Sequence, residues 1–164
     1  MTATDDLIAN NAAYVAGFTK GDLPLPPATN VAVLACMDAR LDPAKALGLQ
    51  EGDAHVIRNA GGVATEDALR SLVISQRLLG TTEIILIHHT DCGMETFTDD
   101  AVKEQILADT GLRPSFALES FPKAEEDVKQ TAARIKASPF VPSKKIRGFV
   151  YEVESGRLRE VPLD

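Results

Sequence analysis

The stretch Val31-Ala32-Val33-Leu34-Ala35-Cys36-Met37-Asp38-Ala39-Arg40 decides the fold. Its first five residues are apolar without a break, whereas a strand with one wet face would alternate, so it reads as a strand buried on both sides in a parallel sheet. Two further runs echo it. Ala54-His55-Val56-Ile57 leads into Arg58-Asn59-Ala60-Gly61-Gly62, and Glu83-Ile84-Ile85-Leu86-Ile87 leads into His88-His89-Thr90-Asp91-Cys92-Gly93. Helical segments lie between them. Asp42-Pro43 opens a short one that closes near Gly48, with Pro43 where a missing N–H costs little. Thr65-Glu66-Asp67 opens a long one, capped by the Thr and favoured by two acids in its first turn. Its apolar face comprises Leu69, Leu72, Val73 and Leu79, with Ile74 and Leu78 beside them, and Gly80 stops it. The β-α-β-α-β order predicts an α/β fold, a mostly parallel central sheet flanked by helices with right-handed crossovers.

Outward from this core, Thr98-Asp99-Asp100 caps a helix carrying Val102 and Ile106 that Gly111 ends. Pro122 opens another, with Val128, Ala132 and Ile135, which stops before Pro139. Ile146 to Val153 and Leu158 to Val161 flank Glu154-Ser155-Gly156-Arg157, the pattern of an antiparallel hairpin at the C-terminal edge of the sheet. At the other end, residues 4 to 18 read as a first helix, capped by Thr4, with Leu7, Asn11, Tyr14, Val15 and Phe18 on one face. Prolines then hold residues 21 to 27 extended. This helix and arm, residues 1–27, lie either on a partner subunit or on their own domain.

With 164 residues, the expectation is one domain over 1–164. A net charge of −7 disfavours nucleic acid and anionic membrane as partners, but not a small neutral substrate. The N-terminus is acidic where a secretory signal would be basic, and the apolar runs are too short to span a bilayer. The expected location is therefore the cytoplasm, where thiols stay reduced.

Both cysteines fall just past a buried run, and His89-x-x-Cys92 lets one loop deliver two donors. Two cysteines in such a chain can be inert buried thiols, or can pair as a disulfide, although nothing here points to an oxidising compartment. A parallel sheet would bring Cys36 to the same edge as His89 and Cys92. Three soft or borderline donors with one position left open suit a catalytic Zn²⁺, and Asp38 and Arg40 build a carboxylate and its counter-charge into the same turn. A structural zinc or redox-sensing site would need a fourth protein ligand, for which only His88, Asp38 or His55 remain.

Cys36-x-Asp38-x-Arg40, Arg58-Asn59-Ala60-Gly61-Gly62 and His89-x-x-Cys92-Gly93, in that order and spacing, resemble the β-class carbonic anhydrases, most of all their short bacterial branch. The resemblance implies Cys36, His89 and Cys92 as ligands of one Zn²⁺ per subunit, and Asp38 with Arg40 as the catalytic dyad. It implies hydration of carbon dioxide to bicarbonate by a zinc-bound hydroxide in a homodimer or homotetramer. Asp38 or water would fill the fourth zinc position at rest. Similar proteins hydrolyse carbonyl sulfide or carbon disulfide, the alternative substrates here. Val63, Phe97 and residues of a second subunit are candidates for the pocket wall. Many members of the family carry Gly before the ligating His, where this chain has His88; the spacing to Cys92 favours His89 as ligand and leaves His88 to support the ligands from behind, or else to relay protons. His55, within a strand, reads as structural.

Overall fold

A computed structural model describes residues 2–163, so Met1 and Asp164, the ends of the expected 1–164 domain, lie outside the described residues. Five strands form one sheet in the order β2-β1-β3-β4-β5. They are β1 (Val31–Cys36), β2 (Ala54–Asn59), β3 (Glu83–His89), β4 (Lys145–Tyr151) and β5 (Leu158–Val161). The first four are mutually parallel, and β5 closes the edge as an antiparallel hairpin partner of β4, with Gly148 opposite Val161. Both predictions for the sheet, its parallel core and its antiparallel C-terminal edge, hold.

The registers explain why the site assembles. Cys36 is aligned with Asn59 on β2, and Ala35 with Ile87 on β3, so the three strands run out at the same edge. Side chains alternate across the sheet. Ala32, Leu34, Ile84 and Leu86 pack beneath Ala68 and Leu72 of α4 (Glu66–Arg77), while Val33, Ala35 and Ile87 pack with Leu41, Met94 and Phe121. Of the apolar face predicted for α4, Ile74 and Leu78 are exposed, because the helix covers the sheet with a narrower stripe than the composition suggests. Further helices are α3 (Pro43–Leu47), capped by Asp42 and closed by left-handed Gly48, and α5 (Asp99–Thr110), capped by Thr98 and closed by Gly111. The last, α6 (Ala124–Ala137), starts two residues after Pro122 rather than at it.

The N-terminal helix departs from expectation. Two short helices, α1 (Ala3–Ala9) and α2 (Asn11–Ala16), replace the single helix over 4–18. Thr2, not Thr4, is the cap, because Thr2 and Asp5 satisfy each other's main-chain N–H groups in a capping box. Leu7, Ile8, Tyr14, Val15 and Phe18 remain exposed. The segment is tied to the body by Glu51, which accepts from Tyr14 Oη (2.6 Å) and pairs with Lys20.

Candidate active site

Three segments build the site. Cys36 ends β1 and the turn after it carries Asp38 and Arg40; the turn after β2 carries Gly61 and Gly62; His89 ends β3 and the turn after it carries Asp91 and Cys92. The glycines are what let the segments close up. Gly62 has φ of 74°, and a Cβ there would lie 2.8 Å from the Cys36 nitrogen and 2.9 Å from the Ala35 carbonyl carbon. Only glycine fits so near a neighbouring backbone. The Asn59 side chain closes the same turn, donating to Val63 O (2.8 Å) and accepting from Val63 N (2.9 Å).

Cys36 Sγ, His89 Nε2 and Cys92 Sγ lie within 4.8 Å of one another, and all three residues are buried. Both cysteines are free thiols, which disposes of the disulfide. His89 Nδ1 sits 2.8 Å from the Thr90 carbonyl; donating there fixes the tautomer and leaves the Nε2 lone pair facing the sulfurs. Nε2 is 3.2 Å from Cys36 Sγ. The Cys92 thiol, set against the cost of burial, lowers the pKa of Cys36, helped by His89 and by the main-chain N–H groups of Asp38 and Gly61. Cys92 moves up as the partner that keeps the proton. Burial opposes a charge on His89, yet its bonds to Cys36 and Thr90 and the nearby negative groups raise its pKa on balance. A buried cluster of two sulfurs and one imidazole nitrogen is a donor set that fits Zn²⁺.

Asp38 and Arg40 form the second part of the site. Arg40 Nε and Nη2 donate to the two Asp38 oxygens at 3.0 and 2.9 Å, and the Arg40 main-chain N–H donates to Oδ1 at 2.8 Å. The Arg40 side chain thereby holds the Asp38 carboxyl well below the usual carboxylate range. Asp38 Oδ2 lies 3.6 Å from His89 Nε2, so the carboxylate borders the metal-binding atoms. A cleft of about 410 Å³ opens over them, walled by Met37, Ala60, Gly61, Met94, Thr96 and Phe97. Phe97 is thus where expected, whereas Val63 is wholly buried in the core and does not line the cleft.

Two contributors escaped the sequence reading. Arg58 reaches across from β2 and donates to three carbonyls of the metal-bearing turn: Cys36 O (3.0 and 2.8 Å), Asp38 O (2.8 Å) and Leu41 O (2.7 Å). Asp91 accepts from Arg40 Nη1 at 2.7 Å. The Arg-Asn-Ala-Gly-Gly string marked Arg58 as part of a motif, but its target is a long-range contact that no local pattern encodes. His88 is no part of the cleft: its Nε2 lies 2.7 Å from buried Asp127 Oδ2 of α6, on the other side of β3 from His89. His55 bonds Ser75 Oγ at 2.8 Å, a structural role as predicted.

Residues 31–114 match the family model described as carbonic anhydrase. Over 162 residues the chain is 59% identical to β-carbonic anhydrase 1 of Mycobacterium tuberculosis, covering 98% of this chain and 99% of that one. The chain belongs to the β-carbonic anhydrase family. Its fold agrees with the crystal structure of the carbonic anhydrase from Streptococcus mutans, with a TM-score of 0.93, 46% identity and 99% of each chain covered. Within the same family reach, a carbon disulfide hydrolase of Saccharolobus solfataricus is 39% identical over 154 residues, covering 78% of this chain and 75% of that one. Among the described residues of this β-carbonic anhydrase family member, no helix is long and apolar enough to cross a membrane.

Proposed function

We propose that this protein is a zinc-dependent carbonic anhydrase that interconverts carbon dioxide and water with bicarbonate and a proton. The observation that carries the reading is the convergence of Cys36, His89 and Cys92 beneath an apolar cleft, with Asp38 held by Arg40 at its side. Cys36, His89 and Cys92 would hold zinc, which would supply hydroxide near neutral pH by lowering the pKa of water, to about 7 where three imidazoles hold the ion in carbonic anhydrase. Thiolates from Cys36 and Cys92 would neutralise the ion's charge and acidify its water less than three imidazoles would, so activity is expected to rise on the alkaline side.

The residues of the chain do the rest. Asp38, kept ionised by Arg40, accepts a hydrogen bond from the attacking oxygen and turns a lone pair toward the carbon of the substrate. Arg40 also restrains Asp38, whose Oδ2 already lies within 3.6 Å of a ligand atom. Met37, Ala60, Met94 and Phe97 offer an apolar surface to a linear, uncharged substrate. Among the described residues that line the cleft none is a Lys or Arg, so the wall offers the charged product bicarbonate no cationic side chain.

A second reading, hydrolysis of carbonyl sulfide or carbon disulfide with release of hydrogen sulfide, uses the same residues. It is favoured by the carbon disulfide hydrolase relative and by the polarizable thioethers of Met37 and Met94 in the cleft wall. Stopped-flow hydration of carbon dioxide by zinc-loaded protein near pH 8.5, beside sulfide release from both sulfur substrates, separates the two. Fast hydration with little sulfide supports the carbonic anhydrase; slow hydration with efficient sulfide release replaces it with the second activity.

The same reading extends to assembly and location. The exposed apolar residues of α1 and α2 support a homodimer or homotetramer of single-domain subunits, and the free thiols support a cytoplasmic location. Light scattering at the mass of one 17.6 kDa chain would count against the assembly.

A further inference from the structure

We propose that Asp91 is a positioning residue: it anchors Arg40 to the turn that carries His89 and Cys92, and through Arg40 keeps Asp38 away from the metal. The inference rests on the zinc site proposed above. Asp38 and Arg40 are two residues apart in one turn, so their mutual ion pair ties neither of them to the rest of the site. Asp91 lies 51 residues further on, between two of the metal-binding residues. It engages the guanidinium twice, through Oδ2 to Nη1 at 2.7 Å and through its carbonyl oxygen to Nη2 at 2.9 Å. A left-handed backbone, with φ of 54°, lets one residue present both acceptors to the same side chain.

The need for such an anchor follows from exposure and distance. Arg40 is 47% exposed, and a long side chain at that exposure has several rotamers open to it. Asp38 Oδ2 is 3.6 Å from His89 Nε2, near the spacing of two ligands on one small ion, so a slight turn of the carboxylate would complete a four-ligand site and exclude everything else. Glu152, which borders the same outer face of Arg40, already accepts from Ser155 Oγ at 2.7 Å and faces Arg159, so it does not duplicate Asp91. With Asp91 in place, Arg40 lies between two carboxylates and is held against Asp38.

The test uses the full chain loaded with Co²⁺, whose visible spectrum reports both thiolate ligation and the fourth ligand, titrated with azide at one pH. Asp91→Gly removes the carboxylate without straining the left-handed backbone, and Asp91→Asn keeps an acceptor with the same backbone tolerance. Apparent anion affinity scales with the fraction of molecules whose fourth position is free, so Asp91→Gly should weaken azide binding roughly two- to fivefold, the range an exposed ion pair supports. Asp91→Asn should recover most of that loss, and both variants should melt with the parent. A crystal structure of Asp91→Gly should show Asp38 turned from Arg40. Azide affinity in Asp91→Gly equal to the parent's, or no recovery in Asp91→Asn, overturns the proposal and leaves the metal site standing. A parent protein with no thiolate-to-cobalt band overturns the zinc reading and the proposal with it.

Discussion

Replacing Arg58 by Met removes one guanidinium and four N–H···O contacts while keeping most of the aliphatic stem. Those contacts reach Cys36 O, Asp38 O and Leu41 O, three acceptors in the turn that presents the first metal-binding sulfur. Hydrogen bonds from a charged donor contribute about 1.5–3 kcal/mol each when water cannot replace them. Arg58 is exposed as a residue, so water takes over part of this set, and one to two bonds' worth, ~2–4 kcal/mol, is the expected loss. For a chain of this length that lowers the midpoint of thermal unfolding by roughly 5–15 °C. The second consequence is on the metal. Groups that orient ligands typically change metal affinity by roughly 10–100-fold, so competition with a chromophoric chelator should show zinc held more weakly by that order. Arg58→Lys, with a compact ammonium in place of the planar fork, should fall between the two. An Arg58→Met protein that melts with the parent and holds zinc equally well would refute the idea that the turn is braced from β2.

Gly62→Ala places a Cβ 2.8 Å from the Cys36 nitrogen at a φ of 74°. Overpacking and left-handed strain together should cost roughly 2–5 kcal/mol and displace Cys36, read as lower thermal stability and weaker zinc binding. Asp99 accepts from the main-chain N–H groups of Leu118, Glu119 and Ser120, and the Ser120 bond, first among these, pulls its carboxyl down to about 2. A carboxyl depressed by folding stabilises fully above its unfolded value of about 3.9 and loses the effect as pH falls toward the folded one. The stability gap between the parent and Asp99→Asn, measured by urea unfolding, should therefore be constant above about pH 5 and close between about pH 4 and 2. His88→Gln should leave carbon dioxide hydration largely intact at every buffer concentration, because His88 pairs with Asp127 away from the cleft. A loss that added buffer rescues would make His88 a proton relay after all.

The strands, their parallel arrangement and the meeting of Cys36 with His89 and Cys92 were legible because they follow from short-range patterns: unbroken apolar runs, capped helices between them, donors at the run ends. The Asp38–Arg40 pair was legible for the same reason, its members being two residues apart. What escaped were contacts across the sheet. Nothing periodic announces that Arg58 aims at the Cys36 turn, that Arg40 has a second carboxylate in Asp91, or that His88 points to Asp127 on α6. The break at Asn10 was hidden too. Asn10 keeps helical dihedrals, φ −64° and ψ −20°, and its N–H still bonds back to Asp6, so the composition of residues 4 to 18 reads as continuous.

The central claim is that two cysteines and one histidine hold a zinc ion. Zinc K-edge absorption fine structure on zinc-loaded protein addresses it directly. The expected shell is two sulfurs at about 2.3 Å and nitrogen or oxygen at about 2.0–2.2 Å, with one sulfur lost in Cys92→Ala. A shell without sulfur, or one that Cys92→Ala leaves unchanged, would contradict the site.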